Sequence, residues 1–136
     1  MRKLITIIDD DVEDIHFLRS AIQLADPSVK CIAFTSPQEA LEYISVDKIP
    51  PDVIFVDYNM PLFNGIECLQ IFNTLRALNY TAYVAISSYM PPSLEHTFLN
   101  QGVSYAFEKP SSIEGYQEVV KQVFNDIYAV GSGNSN

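Results

Sequence analysis

This chain of 136 residues is short of several features that would each name a function class. No uninterrupted apolar run approaches the ~20 residues needed to span a bilayer. Met1-Arg2-Lys3 before a short apolar stretch faintly imitates a signal peptide, but Asp9-Asp10-Asp11 ends that stretch too early, so a cytoplasmic location is expected. Basic residues are scarce: eight Lys and Arg against seventeen Asp and Glu give a net charge of −9. With no clustered Lys/Arg face, direct nucleic-acid binding is not expected. There are only two cysteines, Cys31 and Cys68. Neither has a metal-ligand partner nearby in sequence, so both read as reduced, half-buried thiols. No internal repeat and no linker divides the chain. One domain over residues 1–130, followed by a flexible Gly/Ser/Asn tail over 131–136, is the organisation expected at this length.

What is present is an alternation of strand-like and helix-like segments. Strands are expected at Leu4–Ile8, Val29–Thr35, Val53–Val56, Ala82–Ile86 and Val103–Glu108. Between them, Val12 to Ala25 carries apolar residues near helical spacing and is stopped by Asp26-Pro27. Ser36-Pro37 offers an N-cap and a first-turn proline for a helix to about Ile44. Pro61 to Gly65 turns into a helix over Ile66–Leu78. Pro91-Pro92-Ser93 opens another ending near Gly102, and Ile113 to Val130 forms the last. Such alternation implies right-handed crossovers and a parallel sheet covered by helices on both faces. The fold class is therefore α/β, a flavodoxin-like doubly wound (βα)5 three-layer sandwich with strand order 2-1-3-4-5.

Four of these strands run into reactive polar residues: Asp9-Asp10-Asp11, Asp57, Ser87-Ser88 and Lys109-Pro110. In a parallel sheet their ends share one rim, where α/β proteins place ligand chemistry. An acidic pair, a lone Asp, a hydroxyl and a lysine in one pocket suit a divalent cation and phosphoryl transfer. A carboxylate nucleophile meets anion–anion repulsion from the incoming phosphoryl group and needs cations around it. Asp57 is the candidate nucleophile. Each residue also has a plainer reading: a strand-end Asp is often only a cap, and Gly65 suits a backbone turn. The acidic pair could slip by one; Asp9 and Asp10 are preferred because they follow the strand directly, leaving Asp11 to start the helix. His16 and His96 lack ligand spacing and read as surface or boundary residues.

Asp9-Asp10, Asp57-Tyr58-Asn59-Met60-Pro61 with Gly65, Ser87 and Lys109-Pro110 together resemble the receiver domains of two-component response regulators, over about residues 3–128. With no separate output segment, the chain looks like a single-domain receiver of the chemotaxis type. The resemblance implies a phosphoacceptor at Asp57 and a Mg²⁺ (or Mn²⁺) ion on Asp10, Asp57 and the Asn59 backbone carbonyl, with Asp9 helping through water. It also implies Ser87 and Lys109 on the phosphoryl oxygens, and a cis Lys109–Pro110 bond that aims the lysine. The implied partners are a sensor histidine kinase or histidine phosphotransfer protein and a downstream protein. The implied role is that of a signalling module rather than a turnover enzyme, with a phosphorelay intermediate or constitutive adaptor as the alternative.

The chain departs from the family where an aromatic usually stands three residues before the lysine: here it is Ala106. Either the Ser87 loop and the helix after Pro92 carry the switch, or a strand irregularity lets Tyr105 take over. Asn59 and Tyr89, at positions that tune acyl-phosphate lifetime in the family, oppose each other. Rival chemistries fit poorly. An aspartyl-phosphate phosphatase needs an acid where Asn59 stands, and a flavin or nucleotide site needs a Gly- or Ser/Thr-rich loop after the first strand. The apolar surface of the last helix (Phe124, Ile127, Tyr128, Val130) leaves a dimer open, with a monomer expected first.

Overall fold

The computed structural model describes residues 3–46, 49–58, 70 and 80–128. Apart from residue 70, the expected helix over Ile66–Leu78 lies outside them, as do Asn59, Gly65, Cys68, Val130 and the 131–136 tail. Five strands form one parallel sheet: β1 (Leu4–Ile8), β2 (Lys30–Phe34), β3 (Val53–Asp57), β4 (Ala82–Ser87) and β5 (Tyr105–Glu108), in the order β2-β1-β3-β4-β5. Four helices are described: α1 (Val12–Ala25), α2 (Pro37–Val46), α3 (Pro92–Asn100) and α4 (Ile113–Ile127). The flavodoxin-like order expected from the alternation is the observed one.

Every residue of β1 and β3 is buried, as strands covered on both faces must be. Side chains alternate between the two faces. Ile5, Ile7, Val53, Phe55, Val84 and Ile86 join the core under α1 and α4. Ile8, Ile54, Val56, Tyr83 and Ala85 join the core with residues of α2 and α3. The two layers hold the sheet rigid, so the residues leaving its C-terminal edge start from fixed positions.

The helix ends follow local chemistry. The Asp11 side chain accepts from the amides of Glu13 and Asp14 and so caps α1. Ser36 caps the head of α2: the Glu39 amide donates to Ser36 Oγ at 3.2 Å, and the Ser36 hydroxyl in turn donates to the Glu39 carboxylate at 3.3 Å. Helix α3 closes on Gly102, whose φ of 92° suits glycine, with Gly102 N–H to Leu99 O and Val103 N–H to Phe98 O. That turn consumes Val103, and β5 therefore begins at Tyr105 rather than at Val103 as the sequence suggested.

Phe124 is buried, and Ile127 and Tyr128 pack against the same core. The Tyr128 hydroxyl donates to Asp52 at 2.8 Å. The apolar side of α4 that the sequence offered as a dimer surface is thus used, among the described residues, within the chain.

Candidate functional site

Asp9 directly follows β1 and is buried, Asp57 ends β3 and is 3% exposed, and Asp10 is exposed at the rim. Because β1 and β3 are hydrogen-bonded neighbours, their ends bring carboxylate oxygens of Asp9, Asp10 and Asp57 within 4.8 Å of one another. Asp9 Oδ1 accepts the Asp11 amide at 2.9 Å, which fixes its direction. Asp11 itself is occupied capping α1, so the pair that faces Asp57 is Asp9 and Asp10.

Lys109 leaves β5 and reaches into this cluster. Its ammonium lies 3.2 Å from Asp9, 3.5 Å from Asp57 and 2.7 Å from Asp14 of α1. Burial alone would lower its pKa, but the carboxylates of Asp14, Asp9 and Asp57 outweigh that and raise it, so the lysine is fully charged. Asp9 behaves oppositely. Burial pushes its carboxyl up to about 7, the Asp57 charge adds to this, and the Asp11 amide and Lys109 pull back. Asp10 is raised too, by burial and then by Asp57. One lysine does not neutralise this concentration of negative charge. A second cation with hard oxygen preference fits the donor set, since Mg²⁺-type sites use one or two carboxylates with further oxygen ligands.

Ser87 ends β4, beside β3, and is 1% exposed. Its hydroxyl donates to Tyr89 O at 2.9 Å and accepts the Tyr89 amide at 3.3 Å. The Lys109 amide donates to Ser87 O at 2.7 Å, so the hydroxyl and lysine segments are tied together at the rim. Met90 is held to Glu108 at 3.2 Å, which adds to the stiffness expected of Met90-Pro91-Pro92. Asn59, the further ligand expected through its carbonyl, lies outside the described residues.

The Lys109–Pro110 bond is trans, which corrects the expected cis peptide. The lysine is aimed instead by its amide on Ser87 O, by Asp14, and by packing of the next residue against α4. A Cβ on Gly115 would stand 2.6 Å from Pro110 Cβ. Gly115→Ala should gain ~1 kcal/mol of helix propensity, but the clash is with a rigid ring and typically costs ~1–3 kcal/mol. Thermal unfolding should therefore shift down, against the usual sign for Gly→Ala in a helix. An unchanged or raised melting temperature would show that the lysine loop is free to give way.

Asp14 and Tyr116 are the site residues that sequence reasoning missed. The Tyr116 hydroxyl donates to Asp14 Oδ1 at 3.2 Å while Lys109 takes Oδ2. Burial, then Asp14, raise the Tyr116 pKa, keeping it a donor. The sequence signal was slight: an acidic residue in the first turn of α1, and an aromatic on the buried face of α4. The β4–β5 register is unbroken from Val84↔Tyr105 to Ser87↔Glu108. Ala106 therefore faces the α2/α3 core, and Tyr105 and Phe107 stack together on the other side, where Tyr105 donates to Asp126. No irregularity lets Tyr105 replace the absent aromatic. Cys31 is half-buried, with its thiol pKa raised by burial, and His16 and His96 are exposed.

Known proteins share this fold. The chain is 29% identical over 126 residues to the protein-glutamate methylesterase/protein-glutamine glutaminase 1 of Caulobacter vibrioides, covering 90% of this chain but only 35% of that longer protein. Its fold matches the phosphorylated cyanobacterial phytochrome response regulator RcpA, with a TM-score of 0.84, 18% identity and 96% of each chain covered. It also matches the chemotaxis response regulator CheY4 of Vibrio cholerae, with a TM-score of 0.76, 19% identity, and 90% and 99% of the two chains covered. The Mn²⁺-bound response regulator Rcp1 aligns with a TM-score of 0.76 at 16% identity, over 90% of this chain and 92% of its own. Residues 5–121 match the family model of the response regulator receiver domain, and the chain belongs to that family.

Proposed function

We propose that this protein is a phosphorylation-dependent signalling module that accepts a phosphoryl group on Asp57 from a histidine kinase or histidine phosphotransfer protein. The observation that carries this is the gathering of Asp9, Asp10 and Asp57 within 4.8 Å, with the Lys109 ammonium 3.5 Å from Asp57. An Asp57 carboxylate oxygen would form the new O–P bond as the N–P bond of a phosphohistidine breaks, leaving its electron pair on the imidazole nitrogen. Lys109 would balance the added charge as a point cation, and Ser87 would turn its hydroxyl from Tyr89 O toward a phosphoryl oxygen. Asp10, Asp57 and Asp9, with the Asn59 carbonyl expected from the family pattern, would hold Mg²⁺, which supplies charge neutralisation at the transferred group. The signal would pass by a shift between conformers to a protein partner, in the cytoplasm.

Intact mass spectrometry after incubation with a small phosphodonor tests this directly. One added phosphoryl group is expected with Mg²⁺, and none without metal or in Asp57→Asn. A folded wild type that gains no mass under any condition overturns the reading. Ala106 on the α2/α3 face and Tyr105 tied to Asp126 favour a second reading, a relay intermediate or constitutive adaptor without an aromatic switch. That version would gain the same mass yet bind its partners equally in both states.

A further inference from the structure

The shortest ion pair of Lys109 is not with the acidic cluster at the strand ends but with Asp14, at 2.7 Å. Asp14 stands in the first turn of α1, outside the group of three carboxylates that suits a cation. Its two oxygens have separate donors: Oδ2 takes the Lys109 ammonium and Oδ1 takes the Tyr116 hydroxyl from α4. Tyr116 is only 4% exposed and packs against Phe17, with ring centroids 6.0 Å apart. Asp14 and Tyr116 also line a cavity of about 250 Å³ with Pro110 and Ser112, so a side chain can move there without repacking the core.

We propose that Asp14 is a positioning residue that competes with phosphorylated Asp57 for the Lys109 ammonium, and that Tyr116 retains Asp14 when the lysine moves. The inference rests on phosphorylation of Asp57. A phosphoryl group brings about two negative charges where one carboxylate charge stood. The ammonium, 3.5 Å from Asp57 and 2.7 Å from Asp14, is then drawn toward the larger charge. Asp14 loses its cation but keeps one hydroxyl donor, which makes the half-buried carboxylate tolerable. Tyr116 thus feels the state of Asp57 through two side chains, on the face of the sheet opposite Ala106. This couples the site to α4 without an aromatic at the Ala106 position.

The competition fixes the signs. Asp14→Asn removes the competitor and should raise the steady-state ratio of phosphorylated to unphosphorylated protein about fivefold, the scale of one half-buried ion pair. Tyr116→Phe leaves Asp14 dependent on the lysine and should lower the ratio about twofold. The double variant should match Asp14→Asn, because without the carboxylate the hydroxyl has nothing to hold. Glu13→Gln, which removes an equal charge from an exposed neighbour, should change nothing. The ratios are read by intact mass with acetyl phosphate and Mg²⁺. An unchanged ratio in Asp14→Asn, additive effects in the double variant, or an equal rise in Glu13→Gln would each overturn the proposal. If the wild type takes no phosphoryl group, the phosphorylation reading itself fails, and this inference with it.

Discussion

Lys109→Ala should cut acyl-phosphate formation by about two orders of magnitude while binding Mg²⁺ more tightly than the wild type. The two effects separate because the ammonium serves different ends in the two states. With phosphate on Asp57 it neutralises charge, and removing one preorganised donor of this type commonly costs ~10²-fold or more. Without phosphate it sits 3.2 Å from Asp9 and 3.5 Å from Asp57, occupying carboxylates that a metal ion would use and repelling it. The metal-free variant should also lose ~1–3 kcal/mol of stability, because the carboxylates lose a shared cation. Protonation of Asp9, already held up near 7, limits that loss. Mg²⁺ should restore much of it by binding only the folded state. Urea unfolding with and without Mg²⁺, beside phosphoryl incorporation, measures all three. Loss of metal binding together with loss of incorporation would mean that the lysine holds the pocket open rather than competing within it.

The framework of this site was legible because it depends on local chemistry. Short, wholly buried apolar runs at Leu4–Ile8 and Val53–Val56, with helical spacing between the strands, lead to a parallel sheet. A parallel sheet carries Asp9, Asp10, Asp57, Ser87 and Lys109 to one rim whatever the details of packing. The register of the acidic run was also readable, since an Asp before Val12-Glu13-Asp14 is a natural cap. What escaped was contact between elements remote in sequence. Asp14 looks like an ordinary acidic residue in a first helical turn, and Tyr116 like a core aromatic. Only the packing of α1 beside α4 sets them together, and the segment at Pro110, close against Gly115, brings Lys109 to the other oxygen of Asp14. The cis bond expected at Lys109–Pro110 came from family pattern, and this chain reaches its lysine geometry with a trans peptide.

Acidification should weaken Mg²⁺ binding about tenfold between pH 8 and pH 6, and the cause is Asp9. A ligand must be deprotonated to bind metal, so affinity falls with the ionised fraction. An ordinary aspartate is fully ionised across this range and would give a flat profile. Asp9, buried and facing Asp57, titrates near 7 and loses about nine tenths of its charge by pH 6. Stability of the metal-free protein should run the other way. The unfolded chain releases the Asp9 proton near 3.8 and the folded chain only near 7, so between these values the folded state holds more protons and stability falls as pH rises. Mg²⁺ should reverse that slope, because the ionised cluster is then the form that binds. Asp9→Asn separates the contributions: it should flatten the metal-free stability profile across pH 4–7, raise stability at pH 7, and weaken Mg²⁺ binding at pH 8. Calorimetric titration and thermal unfolding across pH, with and without metal, read both. A flat affinity profile in the wild type would place the ion on Asp10 and Asp57 without help from Asp9, and the buried carboxyl would then serve only to orient the Asp11 amide at the head of α1.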